Sequence, residues 1–294
     1  MVVNDRFRLA DPEKLRPVQL KGDGRTLNVA RRLKSGSKVS LAADQTNQLS
    51  VTLLDDDEMS LWRNGNVKKG TRLVFNGSLR FDVRGWTVDP NSGAVQLTVR
   101  SSALSKLRDE TGAKNWGKQN ASKWMADRFR SAGLTPVVEP GLGSREFQRQ
   151  KAAKDAQAES TWDVMSRAKD ELGCWLFEAC PYGVFGRPSW LAKERPLGQW
   201  RLSWSSPSVY SAVLGGSPTY SYTADSSPAA SLSFKLLAWD AGDMLPGDVV
   251  QLSGSFRAAT GVWLVKSVDI PLDTTQVVSV ECVRAKNPVP QKAG

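Results

Sequence analysis

The sequence contains no histidine among its 294 residues. Ser-His-Asp triads, Cys-His nucleophiles and histidine-ligated zinc sites all need an imidazole, so these kinds of site are excluded. Carboxylates remain as acid/base or metal-binding groups, and one dense acidic cluster runs from Asp55 to Glu58. Such a cluster more often forms a solvated turn between strands, and this is the interpretation we favour. We predict no catalytic residue, no metal site and no cofactor.

Cysteine is scarce, with one residue each at positions 174, 180 and 282 and no metal-ligand spacing between them. An odd number of cysteines without a ligand pattern is typical of a protein from a reducing compartment. Cys174 and Cys180 lie at the two ends of an apolar run. This position indicates buried small side chains rather than a disulfide or a thiol nucleophile.

Long apolar runs are missing as well. No segment approaches the roughly 20 apolar residues that a membrane helix needs. The first nine residues include Asp5, Arg6 and Arg8 and have no apolar core, so they do not resemble a secretory signal. We therefore expect no membrane partner.

Positive charge is concentrated in two stretches of the chain. The net charge is +10, and residues 1–38 hold ten basic and four acidic side chains. Residues 106–151 hold ten and five, whereas residues 205–294 hold six and seven. Such basic stretches either contact nucleic acid or an acidic partner, or form an ordinary solvated surface. We favour the solvated surface, because no recognised nucleic-acid motif accompanies the charge.

Apolar residues alternate with a period of two in the first third of the chain. In the run from Gln48 to Leu53 the apolar side chains occupy every second position, which is typical of a half-buried strand. Six short strands of this kind fall between residues 38 and 100, and an Asn-Gly pair at 76–77 predicts a hairpin turn. This pattern predicts an antiparallel barrel or sandwich.

The middle of the chain changes to a helical period. Apolar residues between positions 121 and 132 share one helix face, with Asn120 as the predicted N-cap and Gly133 just beyond the end. A second helix is predicted between Ser160, its N-cap, and Gly173, with Asp163 completing a capping box. A short strand follows each helix, so a helix–glycine–strand unit occurs twice.

The last part of the chain again predicts strands. Pro246, Gly247 and Asp248 predict a tight turn, because proline fixes φ and glycine accepts a positive φ. Strands are predicted to follow over 249–252, 261–270 and 276–284, and such a meander can curl into a small barrel.

A turn-rich segment before this part carries Trp190, Trp200 and Trp204. Tryptophans in such loops either stack on sugars or fill a seam between small domains. We favour the seam.

Three motifs together resemble the hub proteins of bacteriophage tails and baseplates, and their relatives in contractile injection systems. The most specific motif is residues 159–178, with the sequence ESTWDVMSRAKDELGCWLFE. It departs from the family pattern once: either Lys169 and Asp170 are inserted ahead of Glu171, or the Ala-x-Glu triplet of the family corresponds to residues 168–170. The turn at 246–248 with its strands, and the strand at 81–88, are similar to parts of the two barrels of hub proteins. The residues that carry this resemblance most directly are Ser160, Trp162, Asp163, Gly173, Pro246, Gly247 and Asp248.

The resemblance implies a mainly β fold with an α+β middle domain. Two small antiparallel tail-tube-like β-barrels are expected to flank a helix/strand domain. The expected divisions are a basic N-terminal arm at 1–37, with at most a helical turn at 26–34, a first barrel at 38–103, completed by 200–230, an α+β domain at 104–199 and a second barrel at 231–294.

The resemblance also implies a structural, non-enzymatic role. Three copies are expected to form a homotrimeric ring that joins the tail tube to a central spike or tip protein and contacts other baseplate proteins. Arg31, Arg32 and Lys34 are the predicted assembly or channel residues, with DNA in passing contact. The expected location is the baseplate of the virion, after synthesis in the host cytoplasm.

Two other classes of function stay open. The 11 tryptophans and the acidic cluster also suit a glycan-binding or carbohydrate-active tail protein. The net charge also suits a nucleic-acid-binding barrel of the OB type.

Overall fold

The computed structural model of the protein describes most of the chain between residues 18 and 284. The described residues are 18–22, 25–29, 32–43, 48–54, 71–75, 79–89, 91–149, 158–179, 181–203, 218–222, 230–237, 244–253, 259–272 and 277–284. They hold eighteen strands and four helices.

Strands make up the first part of the chain, as the period of two predicts. Val39 and Leu41 are fully buried, whereas Lys38 beside them is exposed. The strands are β1 (Val18–Gly22), β2 (Arg25–Asn28), β3 (Lys38–Ala42), β4 (Gln48–Leu54), β5 (Arg72–Phe75), β6 (Leu79–Asp89) and β7 (Ala94–Ser101).

Helices appear in the middle part, and the last part returns to strands. The middle elements are α1 (Ser102–Asp109), β8 (Lys114–Asn120), α2 (Ala121–Ala132), β9 (Thr135–Val138), β10 (Ser144–Arg149), α3 (Thr161–Leu172), β11 (Trp175–Ala179), β12 (Tyr182–Gly186) and α4 (Pro188–Glu194). The last elements are β13 (Gln199–Ser203), β14 (Thr219–Tyr222), β15 (Ala230–Leu237), β16 (Val249–Ser253), β17 (Gly261–Pro271) and β18 (Val277–Val283).

One sheet of thirteen strands unites the first and last parts. Its order is β14-β15-β18-β17-β3-β4-β7-β6-β5-β1-β2, and β16 pairs with both β17 and β13. Only the pairing of β13 with β16 is parallel among the described pairings of this sheet. The mainly β fold with an α+β middle is therefore confirmed. The closure of the sheet into two barrels and the domain boundaries stay predictions.

Residues 18–28 differ from the expected extended arm. Strands β1 and β2 form a hairpin, and β1 pairs antiparallel with β5. Val18 and Leu20 are buried against the sheet core, so these residues belong to the fold. The helical turn expected from residue 26 is wrong over 26–28, which lie in β2. In the sequence, Pro17 and Gly22 favour an irregular arm, although β1 begins directly after Pro17 and ends at Gly22.

The ends of helices α2 and α3 confirm the predicted caps. The side chain of Asn120 accepts a hydrogen bond from the Lys123 N–H at 3.0 Å, and Gly133 has a φ of 86°. At α3, the Ser160 hydroxyl accepts from the Asp163 N–H at 3.2 Å, and Asp163 accepts from the Ser160 N–H at 2.9 Å. This reciprocal pair is the capping box that the sequence predicts.

Two small sheets complete the α+β unit, which we define as residues 102–194. Strands β8 and β10 form an antiparallel pair. Strand β12 lies between β11, to which it is antiparallel, and β9, to which it is parallel. The two helix–glycine–strand units therefore place their strands on either side of β12.

Candidate assembly site

Five strands at each end of the chain share one topology. The order β3-β4-β7-β6-β5 recurs as β14-β15-β18-β17-β16, and every pairing within both sets is antiparallel. We call the first set repeat 1 and the second set repeat 2. The α+β unit lies between them in the chain.

A bulge in the longest strand of each repeat fixes the alignment of the two. Strands β6 and β17 both have 11 residues, and each shifts its register after the fifth, which is Val83 in β6 and Val265 in β17. The Val83 N–H donates to the carbonyl of Thr71, and the Val265 N–H donates to the carbonyl of Asp248, both at 2.8 Å. The same backbone hydrogen bond therefore closes the same bulge in both repeats.

Registers in the neighbouring strands agree with this alignment. Opposite the bulge residues lie Val99 in repeat 1 and Cys282 in repeat 2. Two residues earlier on the same strands, Leu97 pairs with Val51, and its counterpart Val280 pairs with Phe234.

The alignment extends to the first strand of each repeat. Two residues before Val51, Leu49 pairs with Val39 of β3. Two residues before Phe234, Leu232 pairs with Tyr220 of β14. The repeats are therefore equivalent residue by residue across all five strands, although the paired side chains differ.

The predicted turn at 246–248 lies at the entry to β16 and is buried. The Asp248 carboxylate accepts from the indole N–H of Trp200 at 2.9 Å and from the Leu245 N–H at 3.0 Å. Trp190 is half-buried against the core cluster that joins the α+β unit to repeat 2, in agreement with the seam interpretation, whereas Trp200 is 8% exposed in the core of the large sheet. Asp248 thus holds the turn against β13.

This turn also touches the α+β unit. Strand β11 has two buried faces, with Leu176 packed among the helices and Phe177 packed towards repeat 2. The core cluster on the repeat 2 side, which we call the seam, contains Ala43, Phe177, Ala179, Val184, Leu191, Leu197, Val249, Leu264 and Val283. The seam fixes the α+β unit on repeat 2.

Two buried carboxylates in this region were not expected from the sequence. Glu178 on β11 is 3% exposed, and burial raises its pKa to about 7, although a hydrogen bond from the Ser101 hydroxyl opposes the shift. Glu139 is also 3% exposed and accepts from the Arg187 backbone N–H and from Nε, each at 2.8 Å. A glutamate inside the apolar run 174–179 is the signal that could have pointed to Glu178.

The sequence motif at α3 lies in a different core from the turn at 246–248. Trp162 is 6% exposed among the helices, and the Arg108 guanidinium lies 5.8 Å from the centre of its ring. Ser160, Asp163 and Gly173 serve the ends of α3, as described above. These residues act in folding, and the structure does not bring them together with Asp248.

Arg32 and Lys34 precede β3, and Arg31 lies outside the described residues. Arg32 is half-buried and Lys34 is exposed. The pKa of Asp89, at the end of β6, is lowered mainly by hydrogen bonds from Ser92 and Asn91, with a further contribution from Lys34. Lys34 therefore lies beside the far end of β6.

A second basic surface surrounds Trp116 on β8. Lys114, Arg128 and Arg149 place their charged groups 5.3, 5.9 and 5.4 Å from the centre of its ring. Sequence analysis missed this aromatic and basic cluster because β8, α2 and β10 contribute to it from separate stretches. Contacts of this kind contribute about 0.5–1 kcal/mol each at exposed sites, so together they stabilise the packing of β8 against α2 and β10.

Several predicted features lie outside the described residues, namely the acidic cluster at 55–58, the turn at 76–77, Cys180 and Trp204. Cys174 is buried and free, as predicted, and burial raises its pKa to about 12. In the described ranges, no three side chains of the metal-binding types lie close enough to hold an ion. None of the described helices is long and apolar enough to cross a membrane.

No family model matches the sequence, and no curated protein matches it. Solved structures, by contrast, show that the chain has the fold of phage tail proteins. It is similar to the 43 kDa tail protein of prophage MuSo2 from Shewanella oneidensis, with 12% identity, a TM-score of 0.59 and coverage of 92% of this chain and 98% of that one. A tail protein from Neisseria meningitidis MC58 gives 10% identity, a TM-score of 0.61 and coverage of 92% and 97%.

A protein from outside phages has the same fold. It is a component of the type VI secretion system of E. coli that exhibits structural similarity to the T4 bacteriophage tail proteins gp27 and gp5. Its identity to this chain is 12% and its TM-score is 0.57, with coverage of 92% of this chain and 79% of that one. At these identities the likeness concerns the fold, in agreement with the resemblance seen in the sequence motifs.

Proposed function

We propose that this protein is a structural ring component of a phage tail or of a related injection device. The fold shared with tail proteins supports this proposal. The observation that carries it is the repeat, because one chain holds the same five-strand arrangement twice, with equivalent registers. A chain with two equivalent units suits a ring that has twice as many units as chains.

The proposed assembly is a homotrimer that acts as the baseplate hub. Three copies place six repeats around one axis, so the ring presents a pseudo-sixfold face to a tail tube. The same ring has true threefold symmetry, which fits a trimeric spike or tip protein on its other face. The protein is then a non-enzymatic part of the virion that also contacts other baseplate proteins.

The contacts of the motif residues support a structural role. The carboxylates of Asp163 and Asp248 accept hydrogen bonds that close a helix end and a turn. Asp163 completes a helix cap and Asp248 is 1% exposed, so the hydrogen bonds of both carboxylates serve the local fold.

The mass of the purified protein in solution tests the proposed assembly. Light scattering is expected to give three times the chain mass of 32.2 kDa for the protein alone, or the summed mass of three chains and three spike subunits once the candidate spike is added. A chain that stays monomeric, ignores the spike and binds glycans or single-stranded nucleic acid would contradict the proposal and favour one of the other two classes of function.

Reversing the charges of Arg31, Arg32 and Lys34 tests their proposed role in assembly or in the DNA channel. The triple change to glutamate is expected to lower the yield of infectious particles at least about tenfold, because three lost ionic contacts of up to about 1 kcal/mol each add up. Reversal of the exposed Lys118, Lys123 and Lys193 of the α+β unit is the control with the same charge change. Normal assembly and DNA delivery by the first variant would contradict this role.

A further inference from the structure

Among the described strands, the two repeats meet through one antiparallel pairing inside the chain. The part of β17 beyond its bulge pairs with β3, with Asp269 opposite Ser40 and Ile270 opposite Val39. An ion pair of 2.8 Å between Lys38 and Asp269 lies at this junction. The junction therefore uses the second half of the bulged strand of repeat 2 and the first strand of repeat 1.

Each of the two strands at this junction has an equivalent in the other repeat. By the alignment of the repeats, the part of β6 beyond its bulge is equivalent to the second half of β17, and β14 is equivalent to β3. Among the described strands, β14 lies at the end of the sheet next to β15. Strand β5 covers β6 only over residues 79–82, before the bulge. Each chain therefore also contains the two strands that a second junction of the same geometry would need, β6 and β14.

Burial differs between the junction and its counterpart. Val39, Leu41 and Val268 are 0% exposed and Ile270 is 1% exposed, because β3 and β17 cover each other. Tyr222, which is equivalent to Leu41, is 64% exposed.

The other three counterparts are half-buried. They are Tyr220 for Val39, Trp86 for Val268 and Val88 for Ile270. Edge strands that face water usually carry charged side chains. Strand β14, with the sequence TYSY, has none, and its two tyrosines lie where the junction inside the chain buries aliphatic residues.

We propose that β6 of one copy pairs antiparallel with β14 of a second copy, in the register that joins β17 to β3 within the chain. Trp86 then lies opposite Tyr222, Thr87 opposite Ser221, and Val88 opposite Tyr220. The contact uses two different surfaces, so it propagates from copy to copy in one direction and closes when the rotation completes a ring. This pairing rests on the proposed function and adds the surface through which the copies join.

A pair of cysteines in the proposed register tests the contact. Thr87 and Ser221 are both exposed, so Thr87→Cys with Ser221→Cys leaves the fold of each copy unchanged. Directly opposite residues have Cβ atoms about 4.5–5.5 Å apart, within reach of a disulfide after small adjustments. Within one chain, β6 and β14 are seven strand positions apart, about 34 Å along the sheet at the usual spacing. A bond between these cysteines therefore links two copies.

Mild oxidation of the double variant is expected to convert most of the protein into covalent oligomers, seen on a non-reducing gel, with the closed ring as the largest species. Each single variant is the control for the native cysteines. Thr87→Cys with Thr219→Cys is the control for register, because it places the second thiol two residues away on the same face. Equal linkage in both double variants would overturn the proposed register.

Light scattering on the same sample separates the pairing from the proposed function. A closed oligomer without the disulfide would overturn the pairing and leave the ring intact. A monomer without the disulfide would overturn both.

A second variant probes the exposed aromatic side chain. Tyr222→Asp places a charge opposite Trp86 and is expected to raise the concentration at which the ring dissociates at least tenfold. Tyr222→Phe is expected to leave that concentration unchanged. Gln251→Asp, at an exposed position of β16, controls for the added charge, and the thermal midpoint of each isolated chain controls for folding. Unchanged dissociation of the Tyr222→Asp protein would overturn the proposal.

Discussion

Gly247→Ala is expected to destabilise the protein by about 2–5 kcal/mol in denaturant unfolding. Gly247 has a φ of 86°, a conformation that costs an alanine about 1–2 kcal/mol. A Cβ atom there would also lie 2.7 Å from Cδ1 of Leu197 and 2.9 Å from Cζ of Phe177. Relieving such an overlap in a packed core costs about 1–3 kcal/mol more. Because the two costs add, Gly247→Ala has the largest destabilising effect that we predict for the addition of a single methyl group.

Gly141→Ala is the matched control for the backbone cost alone. Gly141 has a φ of 74°, and no atom lies within 4 Å of the position that its Cβ would occupy. We expect a loss of about 1–2 kcal/mol, measured as a lower midpoint with an unchanged slope of the denaturation curve. Equal losses of stability in the two variants would show that the turn at 246–248 is not closely packed against the α+β unit.

The helix ends show what the sequence alone could predict. Asn120, Gly133, Ser160 and Gly173 all lie where the caps predict them, because a cap depends on residues within one turn of the helix. The turn at Gly247 is predictable for the same reason. Its contact with Phe177 is not, since 70 positions of sequence separate the two residues and no local pattern records the contact.

The repeat shows where sequence patterns lose their information. Thr71 and Asp248 occupy equivalent positions, and so do Val51 and Phe234, yet neither pair is similar enough to reveal the alignment. The property that the two repeats share is a backbone hydrogen bond to the bulge, and many different side chains permit that bond. Topology therefore repeats in this chain where sequence similarity does not.

The α+β unit contacts both repeats of the large sheet. Phe177 lies in one core cluster with Val249 and Leu264 of repeat 2, whereas Glu178, the next residue, accepts a hydrogen bond from Ser101 at the end of repeat 1. Alternate side chains of one strand thus contact different repeats. Strand β11 is well placed to fix the angle between them, and in the proposed ring that angle decides whether the copies close.

Glu178→Gln is expected to stabilise the protein by about 3 kcal/mol at pH 8 and to have little effect at pH 4.5. Burial raises the pKa of Glu178 to about 7 in the folded protein, against an ordinary value of 4.5. Below pH 4.5 the carboxyl is protonated in both the folded and the unfolded chain, so it does not favour either. Between pH 4.5 and 7 the unfolded chain loses the proton while the folded chain keeps it, and stability falls as the pH rises. Above pH 7 the whole difference is lost, at about 1.4 kcal/mol for each unit of pKa.

The measurement is the free energy of unfolding of the Glu178→Gln and native proteins between pH 4.5 and pH 8.5. Glutamine keeps an oxygen that accepts from the Ser101 hydroxyl, so the variant mimics the neutral, protonated carboxyl at every pH. Glu146→Gln, at an exposed position of β10, is expected to change stability by less than about 0.5 kcal/mol at either end of the range. Parallel curves for the native and Glu178→Gln proteins would contradict the assignment. A gap that opens between pH 4.5 and 7 would show that ionisation of the buried Glu178 carboxyl weakens the fold at the contact between β11 and repeat 1.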